Sequence, residues 1–308
     1  MSIPSPVLVT GGAGYVGSAL ISRLLSLGVT VRGLDWNPPP AGLGMSPSRL
    51  SWMEGDIREP GLLRQAVTDC RGVVHLASIA DAASCDIDPG LARSINVEGL
   101  SSVLAEAALA GVEPLVLVTH APEPQSRGFH RMERVREDLA DQARDRGLAV
   151  ATVRVPTLCG WSPRMRFDLP GNAAVAHEFA ASHDATSVDS PLPPSLHLDD
   201  LVDLLVLLLA WPPAITCGGV LEVSPKDIPG GSTHHPSTMR HPVAANDEAV
   251  RSLADEFSWS PHRSPSQARS ELWERLSQGE FPDALSNPAY HNADGQRHGP
   301  RGRNRSAA

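Results

Sequence analysis

The eight residues from Thr10 to Gly17, Thr-Gly-Gly-Ala-Gly-Tyr-Val-Gly, constrain the fold of this chain more than any other stretch. They follow the short apolar run Val7-Leu8-Val9 and lead into Ala19, Leu20, Leu24 and Leu25 at helical spacing, so they read as strand, glycine turn and helix. A second strand over Val29 to Leu34 then ends on an acidic residue, Asp35.

Glycines at 11, 14 and 17 between a strand and a helix, with a carboxylate closing the next strand, form the fingerprint of a dinucleotide-binding unit. Gly11 and Gly14 let the main chain approach a pyrophosphate held at the positive helix end. Tyr15 and Val16 open that helix, and Gly17 lets helix and strand pack closely. Asp35 would accept hydrogen bonds from the ribose hydroxyls and repel a 2′-phosphate, which favours NAD over NADP. Arg32 and Arg49 are the basic side chains that would serve a 2′-phosphate instead.

Strands over Ser51–Glu54, Gly72–Leu76, Leu115–Val118 and Ala149–Val155 alternate with helices over Gly61–Cys70, Ala92–Ala110 and Met132–Arg146. Such alternation predicts an α/β fold of Rossmann type, a doubly wound parallel sheet with helices on both faces. The dinucleotide-binding domain is expected over residues 1–155, and a smaller, mostly helical C-terminal substrate region over 156–285. That region carries helices at Gly171–Ser182, Asp199–Ala210, Asn246–Phe257 and Gln267–Gln278. Residues 286–308 hold four arginines and almost no hydrophobes, the composition of a disordered tail.

The formal charge of −9 argues against nucleic acid as the main partner. The longest apolar stretch, Leu204–Trp211, is far below the ~20 residues of a membrane span. Four cysteines without a CxxC pair read as buried small side chains in a reducing compartment, so the expectation is a soluble, cytoplasmic protein. His177, His183, His234, His235 and His241 match no ligand spacing, and no metal site is expected. More consequential is a shortage: Lys226 is the only lysine, and Tyr15 and Tyr290 are the only tyrosines.

The glycine spacing, with Gly55-Asp56-Ile57-Arg58, His75-Leu76-Ala77-Ser78 and Asn96-Val97-Glu98-Gly99 in that order, resembles the extended short-chain dehydrogenase/reductase family, in its NAD-dependent epimerase/dehydratase branch. The likeness continues through Arg154–Gly160, Ser162–Leu169, His197-Leu-Asp-Asp and Trp259-Ser-Pro, about residues 5 to 280 in all. It implies that Asp56 and Ile57 contact adenine, that Leu76, Ala77 and Ser78 line the cofactor groove, and that Asn96 supports the active-site helix beside it. It places Asn172 where relatives hold the substrate diphosphate, although the residue also suits a plain N-cap. His75 is expected to be a satisfied core histidine. A small-molecule substrate, a sugar nucleotide or related metabolite, and a homodimer are compatible with the resemblance.

The likeness breaks at the family's catalytic Tyr-x-x-x-Lys. Setting Glu137-Asp138-Leu139-Ala140 on the usual continuation puts Phe129 at the tyrosine and Glu133 at the lysine, and the inventory above offers no substitute pair. Thr119 and His120 end a parallel strand at its carboxyl edge, where open α/β sheets bind ligands. The catalytic candidates are therefore Thr119, His120 as acid or base, and Glu133, which either orients His120 or is itself the base. Three readings stay open: an atypical epimerase/dehydratase-like enzyme without the dyad; a nonredox isomerase, cyclase or dehydratase; and a catalytically silent NAD-binding sensor or partner.

Overall fold

The computed structural model describes residues 2–43, 48–121, 127–182, 192–211, 219–229, 250–252, 259–287 and 290. In chain order the first half runs β1 (Val7–Thr10), α1 (Tyr15–Ser26), β2 (Val31–Asp35), β3 (Leu50–Glu54), α2 (Pro60–Val67), β4 (Gly72–His75) and α3 (Ala82–Ile87). A long helical run follows: α4 (Pro89–Arg93), a π-helical turn over Ser94–Gly99 and α5 (Leu100–Ala110). Then come β5 (Leu115–His120), α6 (Arg127–Asp145) and β6 (Val150–Val155). The second half holds β7 (Leu158–Cys159), α7 (Pro170–Ala181), β8 (Leu196–His197), α8 (Leu198–Ala210), β9 (Val220–Glu222), β10 (Val250–Ser252) and α9 (Pro265–Ser277).

Eight strands make one parallel sheet in the order β10-β9-β6-β5-β4-β1-β2-β3, and β7 pairs with β8 apart from it. The Rossmann-type α/β fold of the sequence reading is thus present. Central strands β1, β4 and β6 are buried at every position, as expected of Val- and Leu-rich strands covered on both faces. On one face Leu20, Ile21 and Leu24 of α1 join Leu201, Leu204, Leu205 and Leu208 of α8 in a single apolar cluster. On the other, Leu63 of α2, Leu100 and Val103 of α5 and Ala140 of α6 cover Leu115 and Leu117.

The sheet does not end at residue 155. β9 extends it in register, Thr152 opposite Val220, and β10 adds a further strand. Residues 250–252 are therefore strand where helical periodicity over Asn246–Phe257 suggested a helix; the remainder of that span lies outside the described residues. A three-residue strand is too short for its own pattern to show, and the edge of β9 supplies what its sequence lacks. With α8 packed on α1, the C-terminal region completes the nucleotide half as well as adjoining it. Tyr290 also packs inward: its carbonyl accepts from the Phe167 amide at 2.8 Å, and its ring meets Phe167 and Phe281 edge to face. Of the tail expected to be disordered over 286–308, residues 286, 287 and 290 are described, and 288–289 and 291–308 lie outside the described residues.

Candidate functional site

The glycine turn owes its shape to close backbone approach. Gly11 has φ of +72°, and a Cβ there would lie 2.6 Å from the Ala77 nitrogen. A Cβ on Gly17 would collide with the Gly11 carbonyl oxygen. Gly14 is the N-cap of α1, and no side chain caps it, so the positive end of the helix opens into a cavity instead. Asp35 closes the turn from β2: Oδ2 accepts from the Ala13 amide at 3.0 Å and Oδ1 from the Asn37 amide at 2.9 Å. Burial pushes its pKa up, against those two amides and the charge of Arg164.

That cavity measures about 510 Å³, inside the usual range of small-molecule and cofactor sites. Gly11, Gly14, Tyr15, Val16, Gly17 and Asp35 line it, as do Asp56 and Ile57 after β3, Leu76, Ala77 and Ser78 after β4, and His120 of β5 with Phe129. Asp56 is held by Arg58; burial opposes its ionisation, but the guanidinium prevails and lowers its pKa. The basic wall is Arg164 and Arg166, neither of which sequence reasoning singled out. Arg32 instead binds the carbonyls of Gln65, Ala66 and Thr68 at the C-terminal end of α2, Arg49 binds that of Gly28, and neither lines the cavity.

Two expected ligand contacts turn out to be internal braces. Asn96 is buried outside the cavity, with its Oδ1 accepting from the Ile79 amide at 2.7 Å and its Nδ2 donating to the Ile79 carbonyl at 2.9 Å. It therefore braces the loop after β4 and does not line the cavity, whereas the family likeness assigned it to the active-site helix. Asn172 needs the larger correction. It is fully buried: Oδ1 accepts from the Gly160 amide at 3.0 Å, while Nδ2 donates to the Arg166 carbonyl at 2.9 Å and toward the Tyr15 hydroxyl at 3.3 Å. Its side chain does not line the cavity, and it is not an N-cap, since Leu169 caps α7 and Pro170 begins it.

Those contacts tie the segment 160–168 across the mouth of α1. The Tyr15 hydroxyl donates to the Gly160 carbonyl at 2.6 Å, and Ser162 Oγ donates to the Tyr15 carbonyl at 2.6 Å and lies 2.9 Å from Ser18 Oγ. So anchored, the strap delivers Arg164 and Arg166 to the cavity, the latter gripped by both oxygens of Asp168 at 2.9 and 2.6 Å. Burial drives the Tyr15 phenol well above its ordinary pKa.

At the carboxyl edge of β5 the catalytic candidates separate. Thr119 points under α6, fully buried, and its hydroxyl donates to Glu137 at 2.9 Å; it does not line the cavity. His120 does, with its ring 5.6 Å from that of Phe129. Glu133 sits behind His120, where its Oε2 accepts from the His120 amide at 2.7 Å and lies 3.3 Å from Nδ1. Arg136 grips both oxygens of Glu133 from the core at 2.7 and 3.0 Å. Burial alone would raise the pKa of Glu133, yet the Arg136 charge and the His120 contacts hold it down to about 2. A carboxylate so committed, and outside the cavity, orients rather than takes up protons. His75 is a core histidine as expected but only half satisfied: fully buried, it has Nδ1 2.7 Å from Thr10 Oγ1 and no hydrogen-bond partner at Nε2 among the described residues, and its pKa is pushed down to about 3 by burial and by Arg136.

Among the described residues no group of three or more His, Cys, Asp or Glu side chains could hold a metal ion; His183, His234, His235 and His241 lie outside them. No described helix is long and apolar enough to cross a membrane.

A sequence model described as the NAD dependent epimerase/dehydratase family matches residues 7–224. The chain is 27% identical over 249 residues to a dihydroflavonol 4-reductase of Hordeum vulgare, covering 68% of each protein. Its fold matches the dTDP-glucose 4,6-dehydratase of Streptomyces venezuelae, solved with NAD bound, at a TM-score of 0.64 and 19% identity over 90% of this chain and 98% of that one. The UDP-glucose 4-epimerase of Thermotoga maritima, solved with UDP-glucose, matches at 0.66 and 16% identity over 89% and 99%.

Proposed function

Since the chain belongs to the NAD dependent epimerase/dehydratase family, we propose that it is an NAD-binding enzyme acting on a sugar nucleotide or related metabolite, with His120 as the proton-transfer group in place of a Tyr/Lys pair. One observation carries this reading: a single cavity runs from the uncapped helix end and Asp35 to His120 at the carboxyl edge of β5. The residues fit the cofactor, because the glycine turn leaves the α1 amides open to a pyrophosphate and Asp35 stands at the end of β2, where the ribose of a dinucleotide would lie. Bound NAD would supply hydride-transfer chemistry.

The chain's own contribution is positioning and proton transfer. His120 presents its imidazole to the cavity, Glu133 holds its main chain and Nδ1 from behind, and Phe129 packs beside the ring. Tyr15, by contrast, is committed to Gly160 and Asn172, and no Tyr-x-x-x-Lys occurs in the sequence. Arg164 and Arg166 bring guanidinium groups to the same cavity, Arg166 in its ion pair with Asp168, and such groups suit a phosphorylated substrate. The neighbours solved with NAD and with UDP-glucose support the same classes of ligand for this chain.

The test is titration calorimetry with NAD and NADP, joined to mass spectrometry of any small molecule that copurifies. NAD should bind more tightly than NADP; equal or reversed affinities would overturn the role given to Asp35. Absence of turnover across sugar nucleotides, with NAD still bound, would favour a silent cofactor-binding protein.

A further inference from the structure

We propose that Arg136 is a positioning residue that, through Glu133, fixes the His120 imidazole in the tautomer protonated on Nδ1 and leaves Nε2 to face the cavity. This rests on the reading that His120 serves the chemistry, and it adds to that reading which ring nitrogen serves and what decides it.

Two residues converge on one carboxylate, that of Glu133. Glu133 receives Arg136 Nη1 on both oxygens, and its Oε2 receives the His120 main-chain amide as well. Nδ1 of the same histidine lies 3.3 Å from that oxygen. An ionised carboxylate only accepts, so a ring nitrogen turned toward it is the protonated one. The other nitrogen of a neutral imidazole is then a lone-pair base, and His120 lines the cavity.

What keeps Glu133 ionised inside the protein is Arg136. Its side chain is 1% exposed, and the carboxylate it meets is 2% exposed, so neither charge is shared with solvent. Arg136 also donates through Nη2 to the Val118 carbonyl at 3.2 Å, two residues before His120 on the same strand. One guanidinium thereby fixes the end of β5 and the carboxylate behind the imidazole together.

A pair that only fastened α6 to β5 would be redundant here. One turn further along α6, Glu137 binds Arg154 at 2.9 and 2.7 Å and receives the Thr119 hydroxyl, which already joins α6 to β5 and β6. A buried pair of charges costs more than apolar packing of the same volume. The pair that contacts His120 has a directional effect that the Glu137 pair lacks.

The experiment reads the ring nitrogens of His120 by ¹⁵N–¹H NMR in the ligand-free protein near neutral pH, where no turnover is required. The neutral form should show Nδ1 protonated and Nε2 bare. Glu133→Gln with Arg136→Met removes both charges at once, so no buried ion is left unpaired, and should shift the neutral ring toward Nε2–H. Arg136→Lys, which keeps a cation, should retain Nδ1–H. A wild-type ring protonated on Nε2, or a double variant that keeps Nδ1–H, overturns the proposal; the wild-type measurement decides even if a variant fails to fold. In turnover the double variant should lose about ten- to a hundredfold in kcat with KM little changed, the usual cost of removing an orienting partner. If the tautomer behaves as stated while turnover does not depend on His120, the proposed chemistry fails and the tautomer assignment stands.

Discussion

Glu133→Gln tests the buried charge network through stability alone. In the folded protein the Glu133 carboxyl is held down to about 2 from an ordinary 4.5. Each unit is worth about 1.4 kcal/mol, so the shift corresponds to roughly 3 kcal/mol in favour of the folded state at neutral pH. Because the folded pKa lies below the unfolded one, that contribution is complete above about pH 4.5 and fades as pH falls toward 2. The substitution also leaves the Arg136 charge buried without its partner, and breaking a buried pair in this way costs about 3–5 kcal/mol, the same order. Urea denaturation of wild type and variant at pH 7, 5, 4 and 3 should therefore show a gap near 3 kcal/mol at pH 7 that narrows steadily below pH 4.5. A gap under about 1 kcal/mol at neutral pH, or one that is constant down to pH 3, would refute the reasoning.

Three further outcomes follow from the same geometry. His120→Ala should lower turnover on the true substrate by about 10²–10⁴-fold and leave NAD affinity, measured by calorimetry, nearly unchanged. Asn172→Ala strips buried partners from the Gly160 amide and the Arg166 carbonyl; at about 1–3 kcal/mol for each such group, chemical denaturation should show a loss of 2 kcal/mol or more. Installing Tyr at 129 and Lys at 133 together sets a second cation against Arg136 in the core, so circular dichroism should show this double variant unfolded, with Arg136→Met restoring the fold.

The nucleotide half is legible in the sequence because its signals are local. The Gly11–Gly17 turn, the apolar run before it and the carboxylate at Asp35 each declare themselves within a few residues, and the alternation of strand and helix fixes a parallel sheet. Thr119 shows where that locality ends. Neighbours on a strand face opposite ways, and nothing in Thr119-His120 says which side chain meets the cavity until α6 packs with Glu137 under one of them. For Asn172 only the family likeness points to a ligand; its partners here, Tyr15, Gly160 and Arg166, come together only when the strap crosses α1.

By itself, then, the sequence determined the dinucleotide fold, the acidic end of β2 and, through a single lysine and two tyrosines, the impossibility of a Tyr-x-x-x-Lys pair. Tertiary structure decided the rest: that β9 and β10 widen the sheet beyond β6, that Arg164 and Arg166 face the cavity while Arg32 and Arg49 do not, and that Arg136 stands behind Glu133. The physical reason is the range of the determinants. Glycine turns and hydrophobic periodicity act between near neighbours, whereas the direction of a side chain and the charge it meets are set by residues far along the chain, which only packing brings within a few ångströms.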